Sequence, residues 1–191
     1  MQTNFYYPTI IEPVQLTEQA TGHPSIPWKF DSTQINKTAP ASSTQPLYTI
    51  SGMWMEKFLS LTDQLWFTGF NIPNNSGTPV GIELDLNTYR QGRIQDLTVQ
   101  LCFDGELIGM NHASLDNPVQ SSMYTGDNPV VIPAGDHHIY GSSSDMWETE
   151  LTSEQLANST FGIVIGFKSN TIYPHRDLAQ IDQVGIRVTY A

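Results

Sequence analysis

Apolar and polar residues alternate in a series of short segments along this chain, and this pattern limits the folds that it can adopt. The clearest is Gly81-Ile-Glu-Leu-Asp-Leu86, where every second side chain is apolar. A period of two is that of a β-strand with one face buried and the other in water. We therefore expect its apolar side chains (Ile82, Leu84, Leu86) to face a core.

A two-residue turn joins two further predicted strands. Asp104-Gly105 stands between Thr98–Phe103 and Glu106–Gly109. An Asp-Gly pair favours the type I′ turn of a β-hairpin, because both positions of that turn need a positive φ. Alternation or continuous apolar character predicts other strands over 64–72, 130–132, 161–167 and 183–190. In the last of these, Val184, Ile186, Val188 and Tyr190 share one face.

Helical patterns are scarce in this chain. Thr152–Asn158 is predicted as one short helix, because Thr152 and Gln155 have the spacing of a capping box. Met55–Leu61 is a second candidate. Strands without long intervening helices are typical of antiparallel sheets. We therefore predict an all-β fold, an antiparallel β-sandwich of jelly-roll type with one short helix and an extended N-terminal arm.

The predicted arm covers residues 1–46 and precedes a β-sandwich domain over 47–191. Half of the 12 prolines lie in this arm, and proline cannot donate a backbone hydrogen bond to a helix or a central strand. The arm is too apolar to remain in water, so it packs along its own domain or is buried by a neighbour. The side chains that we expect at such an assembly interface are Phe5, Tyr6, Tyr7, Ile10, Ile11, Trp28 and Phe30.

Charge and composition disfavour several classes of partner. The 19 acidic and 8 basic side chains give a formal net charge of −11, and the basic ones do not cluster. Nucleic acid and anionic membranes are therefore disfavoured. No segment approaches the ~18 apolar residues of a membrane-spanning helix. The first residues lack the pattern of a signal peptide, which predicts a product that is intracellular or released without one.

Motifs of the common enzyme classes are missing, among them the Gly-x-Ser-x-Gly elbow and His-Glu-x-x-His. We therefore expect no enzymatic activity and assign no catalytic residue, cofactor or metal.

Asp136-His-His138 contains residue types that bind metals, but adjacent strand residues point to opposite faces, which favours a polar loop. Cys102 is expected to be a small strand residue. An acidic group without the spacing of a calcium loop is interpreted as a solvated face: Asp145, Glu148, Glu150 and Glu154.

Tryptophan side chains offer a surface on which sugar rings stack, although packing in a core is their commoner role. Trp66 lies between Leu65 and Phe67, so its side chain is expected on the strand face opposite theirs. Trp66 and Trp147 are the candidate glycan contacts of an alternative function, a carbohydrate-binding module.

Six segments follow one another in an order that is also found in a known family. They are Phe67–Pro73, Gly81–Leu86, Asp104-Gly105, Met146-Trp147, Leu151–Phe161 and Ala179–Tyr190. On these segments the chain from about Leu65 to Tyr190 resembles a β-sandwich domain of structural proteins of tailed bacteriophages. Residues 110–145 and the arm depart from the family's pattern.

The resemblance implies a non-enzymatic virion protein that is made in the host cytoplasm. The leading hypothesis is a capsid decoration, or cement, protein whose arm lies over neighbouring subunits. Its partners would be the major capsid protein or other virion subunits, together with further copies of this chain. The alternatives are a tail or receptor-binding component of the virion and a carbohydrate-binding module.

Overall fold

The strands of the protein are seen in a computed structural model that describes residues 1–16, 25, 27–30, 48–53, 60–91, 94–113, 136–169 and 177–191. In chain order the strands are β1 (Ile10–Val14), β2 (Lys29–Phe30), β3 (Tyr48–Met53), β4 (Ser60–Leu61), β5 (Gln64–Thr68), β6 (Pro79–Gln91), β7 (Ile94–Phe103), β8 (Glu106–Ile108), β9 (Asp136–Gly141), β10 (Gly162–Ser169) and β11 (Asp177–Tyr190). Helix α1 (Ser153–Leu156) lies between β9 and β10.

These strands form two antiparallel sheets with the order of a jelly roll. Sheet A has the order β2-β3-β11-β6-β9, and sheet B has the order β1-β5-β10-β7-β8, with β4 also paired to β10. If β3 is numbered 1 and β5 to β11 are numbered 2 to 8, the order in sheet A (β3-β11-β6-β9) is 1-8-3-6. The order in sheet B (β5-β10-β7-β8) is then 2-7-4-5. This is the eight-stranded, double Greek-key arrangement, and it confirms the predicted all-β sandwich. Strands β1 and β2, from the predicted arm, add one edge to each sheet.

The hydrophobic core fills the space between the two sheets. The side chains of Ile82, Leu84 and Leu86 are fully buried there, as their alternation predicts. Sheet A also contributes Val184, Ile186, Val188 and Tyr190, and sheet B contributes Leu65, Phe67, Val99, Leu101, Ile163, Ile165 and Phe167. Burial of this apolar surface is the main term that holds the sheets together.

Two local predictions are confirmed by the backbone. Asp104 and Gly105 have φ values of 51° and 80°, as a type I′ turn requires, and they join β7 to β8. Thr152 caps α1, and a reciprocal pair of hydrogen bonds with Gln155 completes the capping box. The helix itself is a single turn, shorter than predicted, because Ala157 already forms its C-terminal cap.

Some strand boundaries differ from the predicted ones. β5 ends at Thr68 rather than at residue 72, because Gly69 and Asn71 have positive φ values of 69° and 53° and leave the extended conformation. β6 continues beyond Leu86 to Gln91. The predicted strand over 130–132 lies outside the described residues. So does most of the second helix candidate, of which residues 60–61 form β4.

Candidate functional site

The first residues of the chain lie along an edge of sheet A. Residues 2–6 run antiparallel to β11, with bridges from Gln2 to Thr189 and from Tyr6 to Ile186. The Tyr6 amide donates to the Ile186 carbonyl at 2.7 Å, and the Ile186 amide donates back at 2.8 Å. This segment follows β11 beyond Ile181, where the pairing with β3 ends. The start of the predicted arm therefore packs along its own domain.

The chain then crosses to sheet B and forms its edge strand, β1. Ile11 packs against the core, whereas Ile10 and Val14 are each 42% exposed. Among the strands that the structure describes, β1 pairs with β5 alone. Pro13 suits such an edge, because it cannot donate a hydrogen bond to a further strand. β1 thus presents two aliphatic side chains to solvent.

An aromatic and charged cluster holds residues 2–7 against the outer face of sheet A. Two hydrogen bonds of 2.9 and 3.0 Å join the Arg187 guanidinium to Glu83. The guanidinium carbon lies 4.6 Å from the centre of the Phe5 ring. Phe5 and Tyr7 also cover Gly185, where a Cβ would be 3.1 Å from Tyr7. A partly exposed ion pair contributes at most about 1 kcal/mol, so its main effect is to orient Phe5.

Among the residues of the predicted assembly interface, Trp28 lies in the core and the side chain of Phe30 is not described. Trp28 is only 5% exposed, packs on Phe167 with ring centres 5.6 Å apart, and donates its indole N–H to the Asp63 carbonyl at 2.8 Å. Trp28 therefore belongs to the core, and its assignment to the interface is wrong. The core there accommodates an indole because it also offers that carbonyl acceptor. The side chain of Phe30 lies outside the described part of the structure.

The two candidate glycan contacts have different positions. Trp147 is fully buried, donates its indole N–H to the Ile82 carbonyl at 2.9 Å, and packs on the His112 ring. An indole without an exposed face cannot stack on a sugar, so the prediction for Trp147 is wrong. Trp66 is partly exposed on the outer face of sheet B, whereas Leu65 and Phe67 are buried, as their alternation predicts.

A buried ion pair inside the sandwich joins the two sheets. Arg90 on β6 and Asp96 on β7 are 3% and 1% exposed, and Arg90 Nη2 lies 2.9 Å from Asp96 Oδ1. These two atoms are at ion-pair distance without the alignment of a hydrogen bond. The Arg90 Nε donates to Thr88, and the guanidinium lies over the Phe167 ring. Sequence analysis missed this pair, although Arg90 continues the inward-facing positions of β6.

Tyr140 on β9 completes this buried network. Its hydroxyl donates to Asp96 Oδ2 at 2.7 Å. Burial, and then the negative charge of Asp96, raise the pKa of the Tyr140 phenol above its usual value. The phenol therefore stays neutral and remains a hydrogen-bond donor. Arg90 and Asp96 are buried between two packed sheets and Tyr140 is partly buried beside them, so this network is suited to holding the sheets in register.

Metal-ligand residue types do not converge in the described ranges, where no group of three or more His, Cys, Asp or Glu side chains is placed to hold an ion. Asp136-His-His138 lies in strand β9, so its interpretation as a polar loop is wrong. Of its three side chains only that of His138 is described, and it is half-buried. Asp145 accepts a hydrogen bond from the Trp147 amide at 2.7 Å. Cys102 is buried, and burial raises the pKa of its thiol to about 12, so it is an unreactive strand residue.

Comparisons of the chain with protein-family models, with curated proteins and with solved structures find no match. The resemblance to a phage β-sandwich domain therefore stays a hypothesis. Of the helices that the structure describes, none has the length and apolar character needed to cross a membrane. Two parts of the described structure are open to a partner: the N-terminal segment, residues 1–14, and the outer faces of the two sheets.

Proposed function

We propose that the protein is a non-enzymatic structural protein of a bacteriophage virion, a capsid decoration protein that contacts neighbouring subunits through its N-terminal segment. The observation that carries this proposal is β1, an edge strand with Ile10 and Val14 each 42% exposed. The jelly roll is compatible with this role, because it recurs in viral capsid domains. It also recurs in lectins, so the fold by itself does not decide the function.

The contact with a neighbour would rest on side chains rather than on strand addition. An exposed edge strand is a template for a further strand, but Pro13 removes one backbone donor from this edge. Ile10 and Val14 project from the outer face of β1, next to Thr68 and Gln64 of β5. A small apolar contact of this kind is weak by itself. Repetition over the many equivalent positions of a particle makes it effective.

The distribution of charge is compatible with this arrangement. Residues 1–46 contain three acidic and two basic side chains, whereas the other 145 residues contain 16 acidic and six basic ones. A nearly neutral segment can approach another protein surface without strong repulsion. The acidic remainder would keep the outward part of each subunit soluble and separate from its neighbours.

The test compares virion occupancy of the Ile10→Asp/Val14→Asp double variant with that of the wild-type protein. We expect occupancy, measured by mass-spectrometric copy number on purified virions, to fall about tenfold, because two buried aliphatic contacts would become charges. Ile139→Asp is the matched control, since Ile139 is 53% exposed on the other sheet. Unchanged occupancy of the double variant would contradict the proposal, as would absence of the wild-type protein from virions.

The same measurement distinguishes two locations within the virion. A copy number that follows the symmetry of the capsid lattice indicates a decoration protein, whereas a few copies indicate a tail component. Deletion of residues 1–46 is a poorer test than point substitution. It would take Trp28 out of the core and remove β1 from sheet B, so loss of binding and loss of folding would coincide.

A further inference from the structure

The outer face of sheet B has a row of side chains that crosses four strands at its centre. Cross-strand pairing places Glu12 beside Trp66, Trp66 beside Val164, and Val164 beside Gln100. Glu12 is exposed, and Trp66 and Gln100 are partly exposed. Val164 is fully buried and does not belong to the core cluster between the sheets. An indole, an amide and a carboxylate thus share one surface around a covered aliphatic residue.

Two glycines on β10 leave this surface without a side chain on either side of Val164. Gly162 and Gly166 flank Val164 and face the same side, so neither raises a side chain beside Trp66. Next to Gly166, the Gln64 side-chain amide donates to the Thr98 hydroxyl at 3.2 Å. A Cβ at Gly166 would lie 3.5 Å from Gln64 and 3.6 Å from Thr98. The region beside the indole is therefore flat and bordered by uncharged hydrogen-bonding groups.

Charge is almost absent from this surface. At the outward positions 10, 12 and 14 of β1, 64, 66 and 68 of β5, 162, 164 and 166 of β10, and 98, 100 and 102 of β7, Glu12 is the one charged side chain. The next outward residue of β10, Lys168, is partly exposed. Ligands that stack on an indole include nucleobases and sugars. A nucleic acid needs several cationic side chains for its phosphates, and in the described rows Lys168 alone borders these positions. A neutral, hydroxyl-rich ligand fits this surface better.

We infer that the outer face of sheet B binds a neutral saccharide, with one sugar ring stacked on Trp66. The C–H face of a pyranose is apolar and suits the indole, while its hydroxyls can pair with the amide of Gln100 and the carboxylate of Glu12. The Trp66 indole N–H is itself buried and has no acceptor among the described residues, so a saccharide would contact the exposed part of the ring rather than this N–H. This site goes beyond the proposed role in assembly. Glu12 lies on the same face as Ile10 and Val14 and between them, so a neighbouring subunit bound there would compete with the saccharide.

The test applies the full-length protein to a printed array of neutral oligosaccharides, followed by titration calorimetry with the oligosaccharide that binds best. We expect Trp66→Ala to weaken binding by about tenfold to a hundredfold, the usual effect of removing a stacking platform. Gln100→Ala is expected to weaken binding about threefold to tenfold through loss of a hydrogen bond. Ile139→Ala, an exposed substitution on the other sheet, is the control and should bind like wild type.

Thermal unfolding of each variant shows whether it is folded. If Trp66→Ala does not fold, then Trp66→Phe and Gln100→Ala decide the matter, and both should bind more weakly than wild type. The inference is overturned if no saccharide on the array binds, if binding survives loss of the indole, or if an oligothymidylate probe binds in preference. Saccharide binding is measured on the free protein with the Trp66 and Gln100 variants, whereas virion occupancy is measured with Ile10→Asp/Val14→Asp, so failure of this site can be distinguished from failure of the proposed assembly role.

Discussion

Replacing Asp96 by Ala would leave the Arg90 guanidinium without a counter-charge inside the sandwich. Arg90 is 3% exposed, and its Nη2 lies 2.9 Å from Asp96 Oδ1. Removal of one partner from a buried ion pair costs about 3–5 kcal/mol, because the remaining charge keeps its desolvation penalty. The Tyr140 hydroxyl would also lose its acceptor. Native domains are stable by about 5–15 kcal/mol, so we expect a large loss of stability.

Urea unfolding followed by tryptophan fluorescence measures this effect, with the free energy of unfolding extrapolated to water. The Arg90→Met/Asp96→Leu double variant is the matched control, because it removes both charges and keeps apolar volume. Replacing a whole buried pair by apolar residues is often neutral or stabilising. We therefore expect the double variant to unfold within about 1–2 kcal/mol of wild type, well above the Asp96→Ala variant.

Two outcomes would refute this reasoning. A cost below about 1 kcal/mol for Asp96→Ala would mean that Arg90 is solvated like a surface ion pair. A double variant as unstable as the single one would place the loss in packing rather than in an uncompensated charge. In either case the buried network would not have the role in sheet register that its position suggests.

Two further predictions concern Tyr140 and the β10 glycines. The raised pKa of Tyr140 means that the unfolded phenol ionises first as pH rises above about 10, so stability falls there by about 1.4 kcal/mol per pH unit. Tyr140→Phe should lack this part of the slope in urea unfolding between pH 10 and 11.5, and equal slopes would contradict the assignment. A Cβ at Gly162 would lie 2.0 Å from the Phe67 carbonyl oxygen, whereas at Gly166 the nearest atom is 3.5 Å away. Gly162→Ala should therefore lower the free energy of unfolding by about 1–3 kcal/mol, and Gly166→Ala by less than about 0.5 kcal/mol. Thermal unfolding compares the two variants. Equal unfolding temperatures would show that the close approach at Gly162 is relieved without cost.

Local structure could be predicted from the sequence because its causes lie within a few residues. Alternation assigned Ile82 to the core and Trp66 to the outer face, since successive strand residues point to opposite sides. The Asp104-Gly105 turn depends only on the φ values that these two residues tolerate. The capping box depends on two side chains three positions apart.

Chemical character alone could not assign the aromatic residues of the candidate sites. Trp28, Trp66 and Trp147 look alike in sequence, yet the first and third are buried and the second is partly exposed. The difference depends on which backbone carbonyls and rings lie nearby in space, such as Asp63 for Trp28 and Ile82 for Trp147. Those neighbours are 35 and 65 residues away along the chain.

Periodicity and turn chemistry in the sequence were enough to predict the all-β class and the buried faces of the central strands, but not the strands β1, β2 and β9. The position of the N-terminal segment on its own domain, and the meeting of Arg90 and Asp96 between the sheets, became visible in the tertiary structure. Both depend on pairing between distant parts of the chain, as when the Met1 carbonyl accepts from the Tyr190 amide at 2.7 Å. Such pairs form only when the whole jelly roll closes, since no local preference favours one distant partner over another.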